Sequence, residues 1–266
     1  MSRIIVITGA SSGFGKATAE LLASKGHKVY GIARREMQHA QIEYLKGDVR
    51  DFEAIQSAIR QIIAKEGHID VLINNAGMGI GGSLELATTD EISQQMNTNF
   101  MGCVNLCRAV LPYMRERREG RIINLSSIGG LMGLPYQGFY SASKFAIEGF
   151  SEALSAEVKR FGISVSIVEP GDFATNFTAS RKNSEASMSD KDYGPVFRRS
   201  LSIIEEEENG GLKPEKLAQQ IATIVDCRKP RLRYVVANLE QRLSVLLKRI
   251  LPGGVFVNIL RDYYKS

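Results

Sequence analysis

Cysteine and histidine are both scarce in this 266-residue chain, with three of each. Cys103, Cys107 and Cys227 are odd in number and do not cluster with histidine at metal-ligand spacing, which argues against a disulfide framework and against a zinc site. Cys103 and Cys107 sit four apart and read as small hydrophobes on one helix face. Long apolar runs are missing as well. Nothing approaches the roughly 18 to 20 residues a membrane-spanning helix needs, because Lys248, Arg249, Pro252 and two glycines interrupt the most apolar part of the tail. The first residues run directly into the strand-like Arg3 to Thr8 without the basic region, apolar stretch and cleavage site of a secretory signal, so a cytoplasmic setting is expected. There is no internal repeat, no recognition-helix motif and no interleaving of aromatics with basic residues, so no nucleic-acid partner is expected.

What is present fits one soluble α/β domain over residues 1–266: 44% hydrophobic and 24% charged. The net charge of +5 is unevenly placed, since residues 227–266 carry nine Lys/Arg against two Asp/Glu. β-branched runs at Ile4 to Thr8, Lys28 to Ala33, Val71 to Asn74, Arg121 to Ser126 and Ile163 to Val168 alternate with helix-length segments. This pattern predicts an α/β fold, a Rossmann-type doubly wound parallel sheet with helices on both faces. The near-continuous apolarity of the runs fits strands buried on both sides. Ile92, Met96, Phe100, Cys103, Cys107, Leu111 and Met114 recur at spacings of three and four, predicting an amphipathic helix from Glu91 to Met114. Residues 180–211 turn polar and acidic and read as a mobile lid or insertion. Residues 239–266 read as a basic amphipathic extension.

Thr8-Gly-Ala-Ser-Ser-Gly-Phe-Gly15 follows the first strand and opens a helical pattern, the context a dinucleotide-binding loop requires. Gly9, Gly13 and Gly15, with Ser11, Ser12 and Phe14 between them, let the backbone approach a pyrophosphate, which the helix N-terminus stabilises. The spacing is T-G-x-x-x-G-x-G. Further along come Asn74-Asn-Ala-Gly77, Asn99, Ser127, Tyr140-Ser-Ala-Ser-Lys144, and Pro170-Gly171 followed by Thr175. In this order the motifs resemble the short-chain dehydrogenase/reductase family over roughly residues 3–176.

A carboxylate at the end of the second strand would bind the ribose hydroxyl of NAD, whereas a cation there suits the 2′-phosphate of NADP. Here Ala33 is followed by Arg34 and Arg35, which favours NADP(H) over NAD(H). Asp48 and Val49 resemble the family's adenine contacts. Asn75, Ala76 and Gly77 resemble the turn along the adenosine ribose, and Pro170, Gly171 and Thr175 the segment closing over the nicotinamide.

Tyr140 and Lys144 are four apart and share a helix face. A phenol with an ordinary pKa of about 10 is a poor proton carrier at neutral pH unless neighbouring cations favour its anion. The resemblance implies that Tyr140 exchanges a proton with the reacting oxygen, that Ser127 hydrogen-bonds that oxygen, and that Lys144 also holds the nicotinamide ribose. It implies for Asn99 a water that relays protons from Lys144. The reaction implied interconverts a carbonyl and a secondary alcohol.

The stretch from Ser126 to Tyr140, with Phe145-Ala-Ile-Glu-Gly after it, looks similar to hydroxysteroid and retinol dehydrogenases. Leu131, Met132, Leu134 and Phe139 are candidates for an apolar pocket. A steroid-, retinoid- or lipid-like substrate is therefore expected, with small ketones or aldehydes, or a non-catalytic NADP(H) sensor, as alternatives. The resemblance implies a homodimer or homotetramer. In the tail, Leu239, Leu243, Leu246, Leu247 and Ile250 fall at helical spacing among Arg242, Lys248 and Arg249. That face suits either peripheral contact with an anionic membrane or a cover for the protein's own core.

Overall fold

A computed structural model describes residues 2–266 of the protein. The chain opens with β1 (Ile4–Thr8), α1 (Gly13–Ser24), β2 (Lys28–Ala33), β3 (Ile42–Lys46), α2 (Phe52–Glu66) and β4 (Val71–Asn74). A two-residue β5 (Ile80–Gly81) leads to α3 (Thr89–Met96), one π-helical turn at Asn97–Met101, and α4 (Gly102–Arg117). Then come β6 (Gly120–Leu125), α5 (Gly138–Val158), β7 (Ile163–Pro170), α6 (Asn176–Ser180), the short β8 (Lys182–Asn183), α7 (Glu185–Ser189), α8 (Tyr193–Asn209) and α9 (Pro214–Asp226). β9 (Arg233–Val236), α10 (Leu239–Ile250) and α11 (Gly253–Tyr263) complete it.

Seven strands form one sheet in the order β3-β2-β1-β4-β6-β7-β9, and every pairing in it is parallel. Alternate residues of each strand enter different layers, because side chains leave a strand on opposite faces. Val6, Leu72, Ile122 and Val165 pack with Ile59 of α2, Leu106 of α4 and Leu154 of α5. Ile5, Ile7, Val71 and Ile73 pack with Leu22 of α1 and Ile221 of α9. This is the doubly wound α/β architecture the strand and helix alternation predicts.

Two strands escape the apolar-run reading. β3 has a polar pattern, Ile-Glu-Tyr-Leu-Lys, because it is a sheet edge with one side open. β9 lies at the other edge and is tied in electrostatically: Arg233 donates to Glu148 of α5, Glu169 of β7 and Glu152 of α5. Glu169 is wholly buried and Glu148 nearly so, and burial pushes both carboxyls upward in pKa. Residues 180–211 are mainly helical, and Phe197, Leu201 and Ile204 of α8 are buried. Cys103 and Cys107 lie in the core beneath the sheet.

Candidate active site

Because the sheet is parallel, the C-terminal ends of β1, β2, β4, β6 and β7 all open on one edge. The strand order reverses between β1 and β4, and the crevice at such a switch point is where open α/β sheets bind ligands. That placement brings the separate sequence motifs together.

The turn after β1 has Gly9 at φ 66° and Gly13 at φ 52°, left-handed values that favour glycine. Thr8 is fully buried, and its hydroxyl accepts from the backbone N–H groups of Asn75 and Ala76, each at 3.0 Å. Asn75 returns the contact by donating its amide to the Thr8 carbonyl at 2.8 Å. The loop after β1 is thus clamped to the loop after β4, so tightly that a Cβ at Gly15 would overlap the Asn75 side-chain amide. At the start of α1, the Ser12 side chain caps no N–H and the first turn holds no acid. Those N–H groups, together with the helix dipole, fit a dinucleotide pyrophosphate.

Ala33 ends β2 buried, and Arg34 and Arg35 follow it on the exposed rim. Asp48 stands across from them, its carboxylate gripped by Arg50 at 2.6 and 3.0 Å and held below the usual carboxylate range by that contact. The charge of Arg34 also reaches Asp48. Val49 is buried, and its carbonyl accepts from Asn105 of α4 at 2.9 Å.

On the other side of the crevice, Lys144 is buried and donates to the Leu125 carbonyl at 2.9 Å, with its Nζ 5.7 Å from the centre of the Tyr140 ring. Burial pushes Lys144 down to about 8 and Tyr140 up to about 12, while the Ser127 hydroxyl beside the phenol acts to lower it. Ser127 begins a short turn after β6 and accepts from the Gly129 N–H at 3.0 Å. Ser126 instead faces the Lys144 carbonyl.

Asn99 lies in the π-helical turn, almost wholly buried. Its amide grips the Met78 backbone in both senses, at 2.8 and 3.0 Å, and donates to Ser143 at 3.0 Å. Ser143 in turn donates to the Tyr140 carbonyl at 2.7 Å. Asn99 therefore connects the β4 loop to the helix turn that carries Tyr140. The expected helix from Glu91 to Met114 is present, with this wider turn inside it.

Phe14, Asn75, Gly77, Ser127, Tyr140 and Lys144 line one cavity of about 690 Å³. Pro170, Gly171 and Thr175 line it as well, and Thr175 caps α6 by accepting from the Phe177 N–H at 3.1 Å. Gly9, Gly13, Gly15, Arg34 and Arg35 lie along the same sheet edge, toward the nucleotide end. Met132 and Leu134 line the cavity; Phe139 lies away from it, beside Ile80 and Gly138.

A large part of the wall was not visible as such in the sequence. Phe177, Asp172, Glu207 and Glu208 face the cavity, and so do Leu243 and Leu247 of α10 and Phe256 and Leu260 of α11. Val245 and Phe256 are buried against Ile128 and Met132. The only hint in the sequence was the helical spacing of the tail leucines. Among the described residues no group of three or more His, Cys, Asp or Glu is placed to hold a metal ion.

Residues 3–186 match the family described as short chain dehydrogenase. The chain belongs to that family. It is 54% identical over 263 residues to a 3-ketodihydrosphingosine reductase of Bacteroides thetaiotaomicron, covering 98% of each chain. It is 33% identical over 268 residues to the 17-beta-hydroxysteroid dehydrogenase type 1 of Homo sapiens, covering 93% of this chain and 80% of that one. A solved short-chain dehydrogenase from Streptomyces avermitilis superposes with a TM-score of 0.84 at 33% identity, over 99% of this chain and 96% of the other. Membership makes the protein an oxidoreductase acting between carbonyl and alcohol.

Proposed function

We propose that the protein is an NADPH-dependent reductase of a long-chain, lipid-like ketone, and that Asn99, Ser127, Tyr140 and Lys144 carry the reaction. The observation behind this reading is a Tyr140–Lys144 pair, the lysine buried and Ser127 beside the phenol, set in a cavity walled in part by apolar side chains. The Bacteroides relative, named for a ketone reduction on a sphingoid lipid, supports the same substrate class.

Bound NADPH supplies the hydride to the carbonyl carbon. Ser127 orients the carbonyl oxygen, and Tyr140 gives that oxygen its proton, leaving a secondary alcohol and a phenolate. The Lys144 ammonium stabilises the phenolate and holds the nicotinamide ribose. Asn99 steadies the turn bearing Tyr140 and holds the water that returns protons through Lys144. Gly9, Ser11, Ser12, Gly13, Phe14 and Gly15 would hold the cofactor's pyrophosphate. Arg34 and Arg35 take the 2′-phosphate, Asp48 and Val49 the adenine, and Asn75, Ala76 and Gly77 the adjoining ribose. Pro170, Gly171 and Thr175 close over the nicotinamide.

The tail supports a lipid-facing role. α10 and α11 bury one face against the cavity and leave Leu246, Ile250, Val255 and Val257 about half exposed or more. Arg242, Arg249 and Arg261 are exposed on the same two helices. An apolar face ringed by cations suits shallow docking on an anionic bilayer, and the same helices wall the cavity a membrane-borne ketone would enter. No described helix is long and apolar enough to cross a membrane. The proposed homodimer or homotetramer would form through α4 and α5, with Met101, just before α4, and Phe145, on α5, as exposed apolar side chains.

The deciding experiment is a turnover screen with NADPH and NADH over ketones graded from short to long, including 3-ketodihydrosphingosine. Rising kcat/KM with chain length and preference for NADPH are expected. A best substrate among small ketones or aldehydes, or cofactor binding without any turnover, would overturn the proposal.

A further inference from the structure

The mechanism above leaves several carboxylates in the catalytic cavity without a task. Asp172 directly follows Pro170 and Gly171 and lines the cavity with Glu207 and Glu208. Its partners are amides: the Gln241 side chain donates to Oδ2, and its own N–H donates to Gln241 Oε1 at 3.2 Å. Glu207 accepts from the Tyr263 hydroxyl. Glu208 is the carboxylate of the three that is paired with a cation, accepting from Arg181 and from the Thr178 hydroxyl. Two acids thus face the cavity with hydroxyl and amide partners alone. Burial and the two glutamates push Asp172 up to about 7. It lines the same cavity as the Tyr140 phenol, and its charge acts on that phenol.

Arg181 is taken by Glu208 and Lys144 donates to the Leu125 carbonyl, so neither of these cations hydrogen-bonds Asp172 or Glu207; carboxylates gathered in this way disfavour their own ionised state, and a cationic ligand relieves that. The same cavity is also walled by Met132, Leu134, Phe173, Leu243, Leu247 and Phe256, which offer much to a hydrocarbon chain. The ligand complementary to both is a cationic amphiphile.

We propose that Asp172, backed by Glu207, is a specificity residue that takes the protonated primary amine of a long-chain amino ketone whose carbonyl meets Tyr140. This rests on the ketone-reductase reading and narrows its substrate class. 3-Ketodihydrosphingosine has the required chemistry, a primary amine on the carbon next to the ketone.

The test compares NADPH-dependent reduction of 3-ketodihydrosphingosine with that of the same ketone carrying hydrogen in place of the amine. A charge-assisted contact to a carboxylate changes affinity by roughly 10- to 100-fold. The wild-type protein is therefore expected to prefer the amine by ~10-fold or more in kcat/KM, mainly through KM, and Asp172→Asn to bring the ratio close to one, with Glu207→Gln intermediate. A wild-type ratio near one overturns the proposal and leaves ketone reduction standing, and this holds even if the variants do not fold. Equal losses on both ketones in Asp172→Asn also overturn it, assigning the carboxylate to the cofactor or to Tyr140 instead. If neither ketone is reduced by the wild-type protein, the reductase reading fails and this one with it.

Discussion

At the scale of single residues, the chemistry turns on groups whose identity was readable but whose state was not. Tyr140 and Lys144 stand four apart in the sequence, and helical geometry alone puts them on one face. That burial lowers the lysine to about 8 and raises the phenol to about 12 depends on the sheet and tail around them. Without cofactor the pair is therefore poised with the phenol protonated, the form a reductase needs. Tyr140→Phe is expected to lower kcat by about 10²- to 10⁴-fold, the contribution of a positioned proton donor, with NADPH affinity nearly unchanged; stopped-flow turnover alongside a fluorescence titration measures both. Arg34 carries the second prediction. It is exposed directly after β2, where the proposed function puts the 2′-phosphate, so Arg34→Ala should weaken NADPH by roughly 10- to 100-fold, the value of a charge-assisted hydrogen bond, and NADH far less. Adding Ala33→Asp should move preference toward NADH. Equal losses for the two cofactors would remove Arg34 from phosphate recognition.

At the scale of elements, the sheet edge brings together motifs spread over 170 residues, and the two C-terminal helices supply much of the apolar wall of the cavity. α10 is stapled to the loop after β7 through Gln241, which bonds Asp172 at both backbone and side chain. This leaves the helix with two apolar sides. Leu247 looks into the cavity and Leu243 lines its open side, itself 52% exposed, while Leu246 and Ile250 are 52% and 67% exposed and do not line it. Leu246→Asp with Ile250→Asp changes only the outer side, where substitution affects stability little. The double variant is expected to stop sedimenting with anionic liposomes while keeping its turnover on a water-soluble ketone, and the binding of the unaltered protein should fall as salt rises. Liposome binding that survives in the double variant would show that this face is not the docking surface. The periodicity of the tail was legible in the sequence. Which side faced inward was not, because spacing defines a stripe and says nothing about what covers it.

At the scale of the whole molecule, the tail closes a site that the first 176 residues only half build. A chain ended at Asn238 loses the buried Val245 and Phe256, each worth about 1.5 to 3 kcal/mol on burial, and with them a wall of the cavity. It is expected to melt at a lower temperature and to lose reduction of long-chain ketones, yet still to bind NADPH, because the residues proposed to hold its pyrophosphate and ribose all lie earlier; calorimetry and fluorescence titration separate the two effects. The sequence by itself determined the five central strands, the glycine loop and the placing of Tyr140 and Lys144 on one helix face, because each is encoded within a few adjacent residues: alternation of apolar runs, glycines at fixed offsets, a tyrosine and lysine one helical turn apart. It left open β3 and β9, whose edge positions remove the need for an apolar run on both faces, and it left open the substrate pocket. That pocket joins Ser127 after β6, Asp172 after β7, Glu207 in α8 and Phe256 in α11. Only the folded chain decides such a meeting, since contacts between elements so far apart in sequence arise from how layers stack and have no local pattern to announce them.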